Sequence, residues 1–245
     1  MSEELDVLIR KAEKLKAELE GKDLAPDVLD AYQERFLYQS IYHSAAIEGN
    51  QLSLTEVTSI LTENSVIPGK TLSDHLIIVG LRDATLLARK LLEAKTRISE
   101  HEIHKLHCQL LIDQQALSGQ YRNYNVMIRG HRPTAYEKVP YKMLQLVESH
   151  PSEGRPPIES IAFFHLRLEK IHPFGDGNGR VGRLLINLML EEAGYPAVII
   201  RVEDKERYYE ALEAYDGLRG NPRVEPMQLL LAELVIAQQQ TLLAL

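Results

Sequence analysis

The sequence contains a single cysteine, Cys108, and no tryptophan among its 245 residues. One cysteine cannot close an internal disulfide, which excludes a disulfide-stapled secreted domain and favours a reducing compartment. The first residues are acidic and carry no apolar core, so they do not resemble a signal peptide. No apolar run reaches the roughly 18 residues that a membrane helix needs. We therefore expect a cytoplasmic protein with no membrane partner.

Positively charged residues are also relatively few. The sequence has 28 lysines and arginines and 35 aspartates and glutamates, which gives a net charge of −7. This balance excludes a general attraction to nucleic acid, so we expect no nucleic-acid partner. With 44% hydrophobic and 26% charged residues, the composition is close to the globular average and argues against disorder. The length fits one domain, with room for a small appendage.

Strand patterns are scarce, whereas helical periodicity runs through most of the chain. β-Branched and aromatic residues bunch only around 121–129, between glycines, which predicts one small hairpin at about 119–131. Capping-box patterns at Ser53–Glu56 and Ser99–Glu102 predict helix starts. Longer helices are predicted at 3–20, 31–48, 73–95, 99–112, 156–172, 179–193, 204–217 and 225–243. The fold class is therefore all-α, a helical bundle with a small β-hairpin flap.

The first helix carries an apolar stripe at three-to-four spacing, formed by Leu5, Leu8, Ile9, Ala12, Leu15 and Leu19. We assign residues 1–24 to this amphipathic helix and residues 25–245 to the core. Such a stripe has to be covered. It either docks on the core of the same chain or supports a homodimer, and the sequence leaves both possibilities open.

The most informative segment is residues 172–180, His-Pro-Phe-Gly-Asp-Gly-Asn-Gly-Arg, between two apolar helices. Its alternating glycines let backbone N–H groups point inward, and a turn that opens a helix there makes an anion site. Arg180 and Arg183 share a helix face and suit phosphate oxygens. Asp176 suits a Mg²⁺ carried on phosphates, and His172 can take a proton near neutral pH.

This segment resembles the signature of Fic-domain proteins, His-Pro-Phe-x-Asp/Glu-Gly-Asn-Gly-Arg with a second arginine after two further residues. The similarity extends from about 32 to 221. It implies a helical domain that transfers AMP from ATP to a hydroxyl of a target protein. By the resemblance, His172 deprotonates that hydroxyl, and Asp176 holds Mg²⁺ against the phosphates. Gly177, Asn178 and Gly179 cradle the phosphates, and Arg180 and Arg183 engage the distal ones. The death-on-curing branch, which transfers phosphate, has lysine where this chain has Gly179, so AMP is favoured.

Two further segments extend the resemblance. Residues 119–122 and 126–129 are similar to the family's flap, which aligns the target segment beside the site, although an unspecialised hairpin would have the same pattern. The residues expected to contact ATP here are Val126, Met127, Ile128 and Arg129. Tyr208, Tyr209 and Asp216 fall where relatives contact the adenosine. The two tyrosines fit a core role equally well, and relatives often carry asparagine in place of Asp216.

Residues 44–50, Ser-Ala-Ala-Ile-Glu-Gly-Asn, form a second notable segment. A glutamate just before a helix-ending glycine opposes the negative end of the helix dipole, which suggests a nearby cation. The segment resembles the inhibitory motif of Fic proteins that carry their own brake, with Ser44 and Glu48 at the motif positions. The resemblance implies an inhibitory helix at 31–49, with Glu48 paired to Arg183 in place of the γ-phosphate. The simpler alternative is an exposed glutamate at a helix end.

A cluster formed by His101, His104, His107 and Cys108 invites a zinc interpretation, which the spacing rejects. His101 and His104 are one residue too close for the i,i+4 arrangement, and His104 with Cys108 supplies only two ligands.

The two motifs together predict a self-inhibited, Mg²⁺-dependent protein adenylyltransferase. Two alternatives remain, an enzyme that mainly removes AMP and a nucleotide-binding regulatory module without turnover.

Overall fold

The computed structural model describes residues 2–128, 132–150, 155–217 and 221–245. These residues form ten α-helices and two short 3₁₀ helices at Tyr136–Lys138 and Val202–Asp204. The α-helices are α1 (Glu3–Glu20), α2 (Pro26–Ile47), α3 (Leu54–Glu63), α4 (Leu72–Glu93), α5 (Glu100–Leu110), α6 (Val139–Glu148), α7 (Pro157–Ile171), α8 (Asn178–Glu192), α9 (Lys205–Asp216) and α10 (Glu225–Leu243).

The all-α class is confirmed, since the described residues contain no β-strand. An isolated antiparallel bridge joins Tyr121 to Phe174. The hairpin expected at 119–131 stays a prediction: residues 119–128 contain a turn, a bend and single bridge positions at Tyr121 and Ile128, and residues 129–131, which include Arg129, lie outside the described ranges.

The helix starts follow local chemistry in most places. At α3 the Ser53 hydroxyl accepts from the Glu56 N–H, and the Glu56 carboxylate accepts from the Ser53 N–H, so this capping box is confirmed. The second predicted box is wrong, because the Ser99 hydroxyl donates to the Glu102 carboxylate and caps no backbone group.

Two helix predictions also need correction. α2 begins at Pro26, five residues before the expected start at 31, because proline is well tolerated in the first helical turn. α6 was not predicted at all. Its buried residues Val139, Met143 and Leu146 recur at helical spacing, and Pro140 stands at its start.

The centre of the bundle is the pair α7 and α8, which pack against each other. Both helices are buried along most of their length, with Leu166 and Leu168 on α7 and Val181 and Leu185 on α8. α4 and α5 pack on one side of α8, α10 packs on α7, and α2 lies across α3, α4 and α8. Both ends of the loop that joins α7 to α8 are therefore fixed by buried helices. None of the described helices is long and apolar enough to cross a membrane.

The apolar face of α1 is covered by α10 of the same chain. Leu5, Ile9 and Ala12 are buried in the common core, and the Gln239 side chain donates to the Ala12 carbonyl at 2.9 Å. Intramolecular docking is thus the arrangement in this structure, and the homodimer stays a prediction.

Candidate active site

The loop from His172 to Gly177 connects α7 to α8 through two left-handed residues. His172 ends α7 at φ 48°, and Gly177 precedes α8 at φ 76°, a conformation that glycine adopts without strain. Inside the loop, the Asn178 side chain accepts from the Phe174 N–H and donates to the Phe174 carbonyl, both at 2.9 Å. The Asn178 side chain therefore fixes the loop. The start of α8 is held in place with it, and so are the free N–H groups of the first helical turn.

His107 supports the loop from below. Its ring stacks on Phe174 at 3.7 Å, its Nδ1 accepts from the Gly119 N–H, and its Nε2 donates to the Asp176 carbonyl at 2.9 Å. Burial lowers the pKa of His107 to about 4, so the ring is neutral at pH 7. In the sequence, His107 stands out only as a member of the rejected zinc cluster. The available signal was its place on the buried face of α5 with Ile103, Leu106 and Leu110.

Arg122 ties the start of the expected flap to the loop. Its Nε donates to the His172 carbonyl and its Nη1 to the Tyr124 carbonyl, both at 2.8 Å, and its Nη2 donates to the Thr134 carbonyl. Beyond this anchor, Val126 and Met127 have no regular secondary structure, and Met127 is 61% exposed. The expected flap thus starts beside His172, where Arg122 contacts the His172 carbonyl.

Asp176 presents a half-exposed carboxylate at the start of α8. Its Oδ1 accepts from the Gly177 N–H at 2.6 Å, and its Oδ2 accepts from Gln114 Nε2 at 2.8 Å and from Arg180 Nη2 at 3.0 Å. Partial burial acts to raise the pKa of Asp176, but the Arg180 charge and these hydrogen bonds hold it below its usual value. An ionised carboxylate that is 45% exposed fits a Mg²⁺ carried on phosphates. Gln114 is not among the site residues that the sequence predicts.

Arg180 and Arg183 carry buried N–H groups that no described residue accepts. Nε and Nη1 of Arg180 and Nη1 of Arg183 have no hydrogen-bond partner, and the two side chains are only 4% and 7% exposed. An unsatisfied buried donor costs about 1–3 kcal/mol, and more when it is charged. Together with the first turn of α8, these donors form a site that an anion would complete.

Glu48 lies against that same turn. Its Oε1 accepts from Arg183 Nη2 at 2.8 Å, while Arg183 Nε and Nη2 also donate to the hydroxyl and carbonyl of Ser44 at 3.1 and 3.0 Å. Burial acts to lower the pKa of Arg183, and the Glu48 charge more than offsets this, so the pKa is raised. A Cβ atom added at Gly179 would collide with the Glu48 carboxylate, so only glycine leaves room for it there.

The residues expected near the adenosine lie on α9. Tyr208 is fully buried beneath Arg183, whose Cζ is 5.9 Å from the ring centre, and its hydroxyl is 2.8 Å from His165 Nε2. Tyr209 is half-buried, and Asp216 is the last residue of the helix. Tyr208 therefore supports the underside of Arg183, and the adenosine contacts of the three residues stay predictions.

Glu169 is a further buried acid that the sequence did not reveal. Its Oε2 lies 3.8 Å from His172 Nδ1, and its side chain is 13% exposed. Burial, reinforced by the charge of Glu48, raises the pKa of Glu169 to about 8. Within the described ranges, no three His, Cys, Asp or Glu side chains are grouped so as to hold a metal ion by themselves.

Residues 97–190 match the model of the Fic/DOC family. The chain is 38% identical over 180 residues to "Protein adenylyltransferase Fic" of Nematostella vectensis, which covers 71% of this chain and 42% of that protein. It spans 35–42% of the length of the curated relatives from Nematostella, Caenorhabditis and Drosophila that it matches.

Two solved structures are similar along nearly the whole chain. Residues 134–508 of Fic-1 from C. elegans superpose with a TM-score of 0.88 at 30% identity, over 98% of this chain and 72% of that one. A Fic domain containing signaling protein from Bacteroides thetaiotaomicron superposes with a TM-score of 0.84 at 25% identity, over 98% of this chain and 95% of that one.

Proposed function

The chain belongs to the Fic/DOC family, and on that premise we propose that it transfers AMP from ATP to a hydroxyl side chain of a target protein. The relatives named as protein adenylyltransferases support this activity. The observation that carries it is the set of buried, unpaired guanidinium N–H groups of Arg180 and Arg183 beside the start of α8. Phosphates of ATP would satisfy these donors, and the amides of Gly177, Asn178 and Gly179 would add to the same anion site.

His172 acts as the general base in this proposal. It takes the proton of the target hydroxyl while the hydroxyl oxygen forms a bond to the α-phosphorus of ATP. The bond between that phosphorus and the bridging oxygen breaks, and pyrophosphate leaves with the electron pair. The target segment docks along the flap, residues 119–131, which Arg122 anchors beside His172 through its hydrogen bond to the His172 carbonyl. Positioning and charge neutralisation supply most of the catalysis in phosphoryl-transfer enzymes.

Asp176 would hold a Mg²⁺ that arrives with ATP. The metal, when bound, neutralises charge on the phosphates. Asp176 itself is kept ionised by Arg180 and Gln114, and it is oriented by the Gly177 N–H. These contacts fix the carboxylate beside the anion site before the nucleotide binds.

We propose that Glu48 inhibits the enzyme by occupying the place of the γ-phosphate. Its carboxylate competes for the Arg183 guanidinium and repels a phosphate of like charge. The 2.8 Å contact between Glu48 Oε1 and Arg183 Nη2 supports this competition. Each 1.4 kcal/mol by which the contact disfavours a productive ATP pose lowers the rate about tenfold.

A second function, removal of AMP from a modified target, is supported by the position of Glu48. Its carboxylate is 38% exposed and touches the first turn of α8, where it is placed to hold a water molecule against a bound phosphate. The AMP-transfer experiment below measures the forward direction. A pre-labelled target, incubated with the wild type, measures the reverse.

The test compares incorporation of α-labelled ATP into lysate proteins and into the enzyme itself, in the presence of Mg²⁺. We expect Glu48→Gly to incorporate at least about tenfold more label than the wild type. Glu63→Gly is the matched control, because it makes the same change at the last residue of α3, away from Arg183. It should behave as the wild type does.

Adding His172→Ala to Glu48→Gly should lower the transfer rate by about 10²–10⁴, the usual contribution of a general base, with ATP affinity changed by only a few-fold. Equal labelling by wild type and Glu48→Gly would refute the inhibitory role of Glu48. A Glu48→Gly protein that binds ATP but labels nothing would instead favour a binding module.

A further inference from the structure

Glu169 stands three residues before His172 and faces it across the end of α7. His172 ends this helix in a left-handed conformation at φ 48°. His172 Nδ1 then lies 3.8 Å from Glu169 Oε2. This distance is within ion-pair range and slightly too long for a hydrogen bond, a common state of catalytic contacts before substrate binds.

The other oxygen of Glu169 has no hydrogen-bond partner in the described residues, although it is buried. It packs against Gly182 of α8, where an added Cβ atom would approach Glu169 Oε1 to 2.9 Å. The close approach of α7 and α8 at this glycine holds the carboxyl group in place. A buried carboxyl oxygen without a hydrogen-bond partner destabilises the fold, so the position of Glu169 calls for a functional explanation.

Given the proposed transferase function, we propose that Glu169 is the positioning residue for His172. Its carboxylate accepts the Nδ1–H of the imidazole, so that the Nε2 lone pair faces the target hydroxyl. Nε2 then takes the hydroxyl proton as the oxygen bonds to the α-phosphorus and pyrophosphate leaves. The resulting imidazolium stands beside the Glu169 carboxylate, which stabilises its charge. A buried carboxylate serves a catalytic histidine in the same way in the serine proteases.

The charges that surround Glu169 link it to the inhibitory contact. Glu48, just after α2, and Asp216 on α9 raise its pKa, Arg183 on α8 lowers it, and Tyr208 on α9 also faces it. Burial remains the largest cause of the value of about 8. Removal of Glu48 therefore shifts Glu169 towards its ionised form, which is the form that supports a positively charged His172.

The experiment uses the full chain with Glu48→Gly as the parent protein. Glu169→Gln removes the charge and keeps the shape, and Glu169→Asp keeps the charge on a side chain one methylene shorter. Glu159→Gln is a matched control on the same helix. Glu159 also has a buried oxygen without a partner and a pKa that burial raises, but it lies at the other end of α7 and contacts Gln228.

We expect Glu169→Gln to lower kcat by about tenfold to a hundredfold, with KM for ATP within threefold of the parent. Glu169→Asp should retain part of the activity, and Glu159→Gln all of it. Ring-nitrogen NMR of histidine-labelled protein provides a second readout, with the His172 signals identified by their loss in His172→Ala. In the parent, neutral His172 should carry its proton on Nδ1, and its pKa should fall in Glu169→Gln but not in Glu159→Gln.

An Nε2–H tautomer of His172 in the parent, or an unchanged kcat and His172 pKa in Glu169→Gln, would overturn the inference. The tautomer is measured without substituting Glu169, so a variant that fails to fold does not block the test. If the parent transfers no AMP at all, the proposed function fails on its own. The NMR measurement still decides whether Glu169 orients His172.

Discussion

Two arginine–carboxylate pairs flank the first turn of α8, and they differ in how their partners are connected. Asp176 and Arg180 are four residues apart and meet at 3.0 Å within one loop and helix. Glu48 and Arg183 meet at 2.8 Å but lie 135 residues apart, at the end of α2 and on α8. The first pair needs only the loop and the first turn of α8. The second also needs α2 to lie against α8, so it depends on the packing of two distant segments.

This difference assigns separate roles to pairs of the same chemistry. Asp176 is further fixed by Gln114 and the Gly177 N–H, which suits a residue that must always be ready for a metal. Glu48 has Arg183 as its partner among the described contacts and is 38% exposed, which suits a contact that is made and broken. Under the proposed function, the local pair would prepare the anion site and the distant pair would control access to it.

Among changes to these two pairs, the largest expected effect comes from breaking the local one. In the Glu48→Gly background, Asp176→Asn should lower AMP transfer by about a hundredfold, because loss of a charged partner of Mg²⁺ removes transition-state charge stabilisation. Isothermal titration should show that Mg²⁺ no longer strengthens ATP binding as it does in the parent. Asp83→Asn, which disrupts an Asp–Arg pair on α4 at 2.8 Å, should change neither quantity. A full Mg²⁺ effect in Asp176→Asn would show that the metal is held elsewhere.

The same contrast explains which parts of the site were predictable. Residues 172–183 are contiguous, so spacing alone indicated an anion site with a base and a carboxylate. Gln114, His107 and Glu169 reach the loop from other segments or from a helix face that looks apolar, and only the tertiary packing reveals them. Glu48 is as distant as these residues, but its unfavourable place at a helix end and its motif made it visible.

The fold shows a similar division. The capping box at Ser53–Glu56 involves only these two residues, and its prediction is confirmed. At Ser99, by contrast, the hydroxyl donates to the Glu102 carboxylate and does not cap the backbone. α2 starts at Pro26, because a proline that breaks a helix interior is acceptable in its first turn. Such choices between two local hydrogen bonds are settled by surroundings that a sequence pattern does not contain.

The second prediction concerns the support of the local pair by His107. Its pKa is about 4 in the folded protein and near 6.5 in an unfolded chain, so the unfolded state binds more protons between these values. Stability contributed by neutral His107 is therefore lost as the pH falls from about 6.5 to 4, by up to about 3 kcal/mol. Urea unfolding at several pH values measures this slope.

His107→Gln, which can still accept and donate a hydrogen bond, should flatten that slope even if it lowers stability at pH 7. The same change at His101, an exposed histidine on α5, is the control for the substitution itself. His150 and His165 have pKa values lowered by burial to about 4 and about 3, so some acid sensitivity remains in every variant. An unaltered slope in His107→Gln would mean that this ring does not titrate on unfolding.

The smallest expected effect is a partial opening of the distant pair by Ser44→Ala. The Ser44 hydroxyl accepts from Arg183 Nε at 3.1 Å, and its carbonyl, which alanine keeps, accepts from Nη2 at 3.0 Å. A hydrogen bond of this kind contributes about 0.5–1.5 kcal/mol, so the wild-type rate of AMP transfer should rise about twofold to tenfold. Alanine is also the better helix former, which keeps α2 intact and restricts the change to the lost contact.

The matched control for this change is Ser40→Ala, one turn earlier on α2, where the hydroxyl donates to the Leu37 carbonyl and not to Arg183. In the Glu48→Gly background Ser44→Ala should add little, because the two contacts serve one closed state that the loss of Glu48 already opens. Fully additive effects would mean that Ser44 and Glu48 act separately. Equal rates for Ser44→Ala and Ser40→Ala would assign the whole inhibitory contact to Glu48, since removing the Ser44 hydroxyl would then leave Arg183 as firmly held as before.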